Sequence, residues 1–211
     1  MGCTASKDGH QTLKKPAPEA GFTHCGPWLK TAEDLVDFPK FPEGTKSLLF
    51  KHLSKEVWDE YKDQADDFGV TFKTCIFSGC QNVDSGVGVY AGSHSSYKKF
   101  NKLFDPIINE YHNFSAEKNH VSEMNCDGLE CPPFPEDEAA MIKSTRIRVG
   151  RNLKAYALGP GITNEQRLEM MKTITECCEG FEGDLAGKFY PLSGMSKADQ
   201  DKLIADHFLF K

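Results

Sequence analysis

No apolar run in this 211-residue chain is long enough to cross a bilayer. Its longest stretches, such as Ser47-Leu-Leu-Phe50 and His207-Phe-Leu-Phe210, fall far short of the roughly 20 residues a membrane helix needs. Positive charge is not in excess either. The net charge is −6, which argues against a general nucleic-acid or polyanion binder. No segment that is first basic, then apolar, then small-residued precedes the eight cysteines, so they are expected as thiols in a reducing cytosol. Two pairs, Cys75/Cys80 and Cys126/Cys131, have C-x4-C spacing. That spacing fits structural zinc poorly, and no metal site is expected. Without a secretory signal the sequon Asn113-Phe-Ser115 is expected to stay unmodified. No internal repeat is found.

What is present is an ordinary globular composition, 39% apolar and 27% charged. The length suffices for one sizeable core or two small domains. The start of the chain stands apart. Met1-Gly-Cys-Thr-Ala-Ser-Lys7 fits an N-terminal acylation pattern, with Gly2 available after methionine removal and Ser6 at the expected offset. Cys3 could take a second, palmitoyl chain. Two chains matter because one myristoyl group binds membrane only marginally. Lys7, Lys14 and Lys15 would add attraction to acidic lipid. The alternative is a chance match in a polar leader.

Residues 1–30, with Pro16 and Pro18, read as that flexible leader, and compact structure is expected from about Thr31. Ser54 is placed as the cap of a helix carrying Val57, Trp58, Tyr61, Ala65 and Phe68, closed by Gly69. Tyr97, Phe100, Leu103 and Phe104 make a second stripe. Asp105-Pro106 is expected to interrupt it and open a new helix with Ile107, Ile108 and Tyr111. Residues 31–112 therefore read as a helical domain and the proline-rich 113–140 as a linker. Beyond it, Met141 to Val149 reads as a strand, and Thr163-Asn-Glu-Gln166 as a capping box opening a helix with Leu168, Met171, Ile174 and Cys178 on one side. Phe189 to Gly194 reads as a strand or turn. Ser196 caps a last helix with Leu203, Ile204 and His207.

Two constellations could carry chemistry. In Asp84-Ser-Gly-Val-Gly-Val-Tyr-Ala91, Gly86 and Gly88 let the backbone turn sharply and offer N–H groups to a carboxylate. Read alone, the segment is either such a cradle or a plain connector. In Lys143-Ser-Thr-Arg-Ile-Arg-Val149, a strand would set Ser144, Arg146 and Arg148 on one face. Paired guanidinium groups suit phosphate oxygens; the alternative is a solvent-facing strand.

Together these segments resemble the phosphagen (guanidino) kinases, over roughly residues 35–211. Gln81 to Ala91 is similar to the guanidino-specificity loop of arginine kinases. Phe104-Asp-Pro-Ile-Ile108 with Tyr111-His112, Ser144-Thr-Arg-Ile-Arg148, Tyr190-Pro-Leu-Ser-Gly-Met195 and His207-Phe-Leu-Phe210 resemble four further family blocks in the same order. The resemblance implies an α+β protein. A small all-α domain at 31–112 would be followed, from 141 to 211, by the incomplete start of an α/β catalytic domain with an antiparallel sheet. It implies reversible phosphoryl transfer between ATP, carried with Mg²⁺, and a guanidino amino acid such as arginine, with no nucleic acid involved. Ser85, Gly86, Val87, Gly88 and Tyr90 would hold the substrate's amino-acid end. Ser144, Arg146 and Arg148 would bind ATP phosphates. Asp84 would pair with a second-domain arginine on closure. The catalytic residues themselves are expected beyond Lys211, so the isolated chain is expected to be inactive. Taurocyamine, lombricine or creatine stay open as substrates. A non-catalytic, lipid-anchored module that regulates a full-length kinase stays open as the function. The expected place is cytoplasmic, tethered through Gly2 and Cys3 to a cytosol-facing or ciliary membrane.

Overall fold

The computed structural model describes residues 14–130, 132–143, 145 and 150–209. Two compact units divide the chain, the first reaching Ile162 and the second starting at Thr163. The described residues are helix-rich, with one small two-stranded parallel sheet among them.

That sheet pairs β1 (Phe22–His24) with β2 (Phe38–Lys40), Phe22 opposite Phe38. Between the strands Cys25 and Leu29 are buried, and Gln81 donates from Nε2 to the Leu29 carbonyl at 2.6 Å. Ordered packing thus begins in residues that composition alone assigns to a leader. Short strands with proline between them gain their stability from distant partners, which local pattern does not reveal.

Helix α1 (Leu48–His52) is capped by buried Ser47, whose Oγ accepts from Phe50 N–H at 3.1 Å. Helix α2 (Lys55–Tyr61) is capped by Ser54, as its position predicts. It ends at Tyr61, well before Gly69. Asp66 captures the backbone of the next segment and folds residues 64–71 into a tight turn instead of another helical turn. Helix α3 (Phe72–Gln81) follows.

Helix α4 (Ser96–Lys99) breaks at Phe100, and α5 (Asn101–His112) runs on through Pro106. The expected interruption at Asp105-Pro106 is absent. Proline's cost inside a helix is offset here by burial of Leu103, Phe104 and Ile107. Asn113 ends α5 in the left-handed conformation (φ 52°). Trp58, Tyr61, Phe72, Phe100 and Leu103 form the centre of the core, with Phe72 and Phe100 edge to face at 5.2 Å.

Past α5 the described residues as far as Ala155 are largely exposed, and among them is one short helix, α6 (Glu136–Ala139). The described residues of the expected strand, 141–143 and 145, are not in a strand; the remainder lies outside the described residues. The chain then packs against the loop before α4. Ala157 is buried, Leu158 N–H donates to Gly92 O at 2.8 Å, and Gly161 packs so closely that a Cβ would lie 2.3 Å from Val70 Cγ2.

In the second unit, α7 (Asn164–Glu179) opens with the Thr163/Gln166 capping box, and α8 (Lys197–Ala205) with Ser196 accepting from Asp199 N–H. His207 lies just past α8 at φ 63°. Residues 192–194 make a turn. Leu168, Met171 and Ile174 stay exposed along α7. No described helix is long and apolar enough to cross a membrane.

Candidate functional site

The site is built on the loop that leaves α3. Asn82 ends the helix by donating from its backbone N–H and from Nδ2 to the Ser78 carbonyl. Ser85 N–H then turns back to Asn82 O at 3.0 Å. The loop's carbonyls are tied down. Gly86 O accepts Leu48 N–H at 3.0 Å and Val87 O accepts Leu49 N–H at 2.9 Å, both from the first turn of α1. The loop's exit is pinned by Tyr90 N–H to Cys75 O at 2.9 Å. Among the described residues the amides of Gly86, Val87 and Gly88 meet no acceptor. A run of open N–H groups beside paired carbonyls is locally electropositive and suits a carboxylate.

Three glycines make this shape for three reasons. Gly88 is at φ +84°, a conformation that side chains rarely adopt. Gly79 on α3 lies against it; a Cβ there would stand 2.1 Å from the Gly88 carbonyl oxygen. Gly86 differs, since a Cβ there would meet nothing of the chain within 4 Å. It presents bare backbone to open space.

That space is a recess of about 580 Å³, with Ser85, Gly86, Val87 and Tyr90 on one wall and Glu110 and Tyr111 of α5 on the other. A second, more apolar recess of about 560 Å³ adjoins it, sharing Val87, Tyr90 and Tyr111 and backed by Phe104, Ile107 and Ile108. Both sizes fall in the small-ligand range. The Glu110 carboxylate accepts from Lys51 Nζ at 2.8 Å and meets His52 Nε2 at 2.7 Å. The Lys51 bond first, then the His52 bond, hold its carboxyl below the ordinary value.

Of the residues singled out from sequence, Ser85, Gly86, Val87 and Tyr90 line one recess, and Gly88 shapes its wall from a buried position. Asp84 stands exposed at the loop's outer end. Ser144, Arg146, Arg148, Gly2 and Cys3 lie outside the described residues. Glu110 and Gly79 were not legible as site residues. A glycine inside the last turn of a helix, two residues before its end, is the available signal for Gly79; an acid on a charged helix face gives none for Glu110. Among the described cysteines, Cys25, Cys75 and Cys80 are buried and Cys126 and Cys177 exposed. Burial pushes the Cys75 thiol up to about 11 and Cys80 well above its ordinary value, which makes both poor nucleophiles.

The family model described as the N-terminal domain of the ATP:guanido phosphotransferases matches residues 43–109, the stretch that runs from just before α1 into α5. Arginine kinase from Anthopleura japonica is 44% identical over 173 residues, covering 82% of this chain and 24% of that protein. Arginine kinase from Limulus polyphemus is 43% identical over 177 residues, covering 82% of this chain and 49% of that protein. The chain thus spans a quarter to a half of the length of these curated relatives. The crystal structure of a lombricine kinase superposes with a TM-score of 0.65 at 30% identity, over 79% of this chain and 45% of that one. The loop between α3 and α4 falls within the matched residues, as does α5 as far as Asn109, and through them the chain carries the N-terminal domain of the ATP:guanido phosphotransferases, the phosphagen kinase family.

Proposed function

We propose that this chain supplies the substrate-side wall of an ATP:guanidino phosphotransferase that moves the terminal phosphoryl group reversibly between MgATP and arginine. The observation that carries the reading is the loop at 85–90, where α1 binds the Gly86 and Val87 carbonyls and where exposed Gly86 and half-buried Val87, whose amides meet no acceptor among the described residues, line a recess. Ser85, Gly86, Val87, Gly88 and Tyr90 hold the amino-acid end of the substrate through those amides and the two hydroxyls. Asp84, exposed at the loop's edge, is the closure contact. Phosphoryl transfer needs alignment and charge neutralisation more than covalent help. Gripping the far end of the substrate is how this wall contributes, because it aims the guanidinium. Ser144, Arg146 and Arg148 are the proposed phosphate contacts, on the family resemblance alone. Magnesium enters bound to ATP. Among the described residues no group of three or more His, Cys, Asp or Glu is placed to hold a metal, so no step is assigned to a protein-bound ion. Arginine is preferred because the arginine kinases named above share 43–44% of their aligned residues with this chain.

The test is an NMR titration of the ¹⁵N-labelled 211-residue chain with L-arginine. Shifts are expected at the Gly86, Val87 and Gly88 amides, with a dissociation constant on the order of 1 mM for one wall of a site. The same preparation is expected to form no phosphoarginine. Amides that stay still well above that concentration, or that respond to taurocyamine or lombricine and not to arginine, would overturn the assignment.

Membrane tethering through Gly2 myristoylation and Cys3 palmitoylation is part of the same proposal, supported by the Met1–Lys7 pattern alone. Intact mass after expression in a eukaryotic host is expected to show loss of methionine and gain of a myristoyl group, abolished in Gly2→Ala. An unmodified N-terminus ends this part of the proposal and leaves the kinase reading untouched.

A further inference from the structure

Helix α1 has five residues, too few to hold together unaided. Its two ends are gripped by different parts of the fold. At the start, the Leu48 and Leu49 amides bind Gly86 O and Val87 O. At the end, Lys51 and His52 both reach Glu110 of α5, at 2.8 and 2.7 Å. Between them Leu49 is fully buried, so the helix cannot slide or rotate without moving both contacts. Glu110 is thus linked to the loop through one rigid turn as well as standing opposite it in the recess.

We propose that Glu110 is a positioning residue for the substrate loop. By gripping Lys51 and His52 it holds α1 where its first amides keep the Gly86 and Val87 carbonyls turned inward, which leaves the neighbouring amides open to the ligand. A carboxylate suits the role because it can accept from two donors at once on separate oxygens. The consequence for substrate affinity rests on the arginine-binding reading above; the consequence for loop order does not.

The experiment compares the unmodified 211-residue chain with E110Q and with K102M. Lys102 pairs with Glu60 at 2.6 Å, so K102M breaks a comparable ion pair on the same helix without touching α1. Amide hydrogen exchange is followed at Leu48 and Leu49, with Cys80 in the core as reference. In E110Q, exchange at Leu48 and Leu49 is expected to rise about fivefold relative to Cys80, the scale of a lost partly exposed charged contact. K102M should leave that ratio within twofold. Arginine affinity should fall by a similar factor in E110Q and not in K102M. Equal acceleration in both variants, or none in E110Q, overturns the proposal, as does arginine binding unchanged in a loosened E110Q. If the unmodified chain binds no arginine while E110Q still loosens α1, the substrate reading fails and the positioning of the loop stands.

Discussion

Replacing Gly79 with alanine should destabilise the first unit by about 3 kcal/mol, although glycine to alanine inside a helix ordinarily stabilises by roughly 0.5–1 kcal/mol. The sign reverses because of what lies against α3. The new Cβ would stand 2.1 Å from Gly88 O, 2.6 Å from its Cα and 2.7 Å from its carbonyl carbon. All three are backbone atoms, so no side-chain rotation relieves the contact. The loop must move out, and it is held by Leu48 N–H, Leu49 N–H and Tyr90 N–H. Losing two such bonds at about 1 kcal/mol each, on top of the overpacking, gives the total. Urea titration reads it directly. Gly86→Ala is the companion: its Cβ meets nothing within 4 Å, so stability should stay within about 0.5 kcal/mol while arginine-dependent shifts weaken. A Gly79→Ala protein as stable as the original would mean that the loop does not sit on α3 as described.

The contrast between these two glycines shows what a sequence can and cannot reveal. Gly86 and Gly88 stand two apart in an otherwise non-periodic stretch, and that marks the loop. Which of them faces a ligand and which faces Leu49 depends on α1, nearly 40 residues upstream. The caps at Ser54, Thr163 and Ser196 were readable because a cap reaches only three residues along the chain. The end of α2 was not, because Asp66 is drawn away by Ser93 and Ser96, 27 and 30 residues on. The β1–β2 pairing was missed for the same reason. Proline rules suggested a break at Pro106, yet the burial of three apolar residues in α5 outweighed them. Residues 141–149 read as a strand in the sequence. A strand also needs a neighbour to pair with, and 141–143 and 145 are in no ladder. Half of the recess was legible as Ser85 to Tyr90. The other half was hidden because Glu110 looks like the solvent face of an amphipathic helix and Tyr111 like part of its apolar stripe.

Asp66→Asn is expected to cost about 4 kcal/mol near neutral pH, and the cost should shrink as the solution is acidified. The side chain is 6% exposed. Its Oδ1 accepts Phe68 N–H at 2.9 Å and Val70 N–H at 3.0 Å; its Oδ2 accepts the Ser93 hydroxyl at 2.6 Å and the Ser96 hydroxyl at 2.5 Å. Four donors converge on a group that only accepts. Asparagine offers one oxygen and one NH₂. Ser96 cannot reverse its role to suit that NH₂, because its oxygen already accepts from Gly92 N–H and Ser93 N–H, each at 3.0 Å. Ser93 can turn its proton to Ser95 Oγ, 2.9 Å away, but the Ser96 hydroxyl is left facing a donor; that lost bond to a charged acceptor, with the weaker bonds a neutral amide oxygen makes to Phe68 N–H and Val70 N–H, is worth about 3–5 kcal/mol. Burial raises the carboxyl's pKa, and the hydroxyl and amide bonds together outweigh it, so the net shift is downward. A carboxyl whose folded pKa is depressed adds stability above its unfolded pKa of about 3.9, and that stability is lost as pH falls through the folded value. Urea titrations at pH 7 and at pH 3 should show the gap between the two proteins closing at the lower pH. A gap that does not change with pH would mean that the carboxylate's charge is not what holds the 64–71 turn to the serines. Those serines directly follow the substrate loop, so the variant should also broaden the Gly88 and Tyr90 amide signals. Gly86→Ala, which leaves the serines in place, should not.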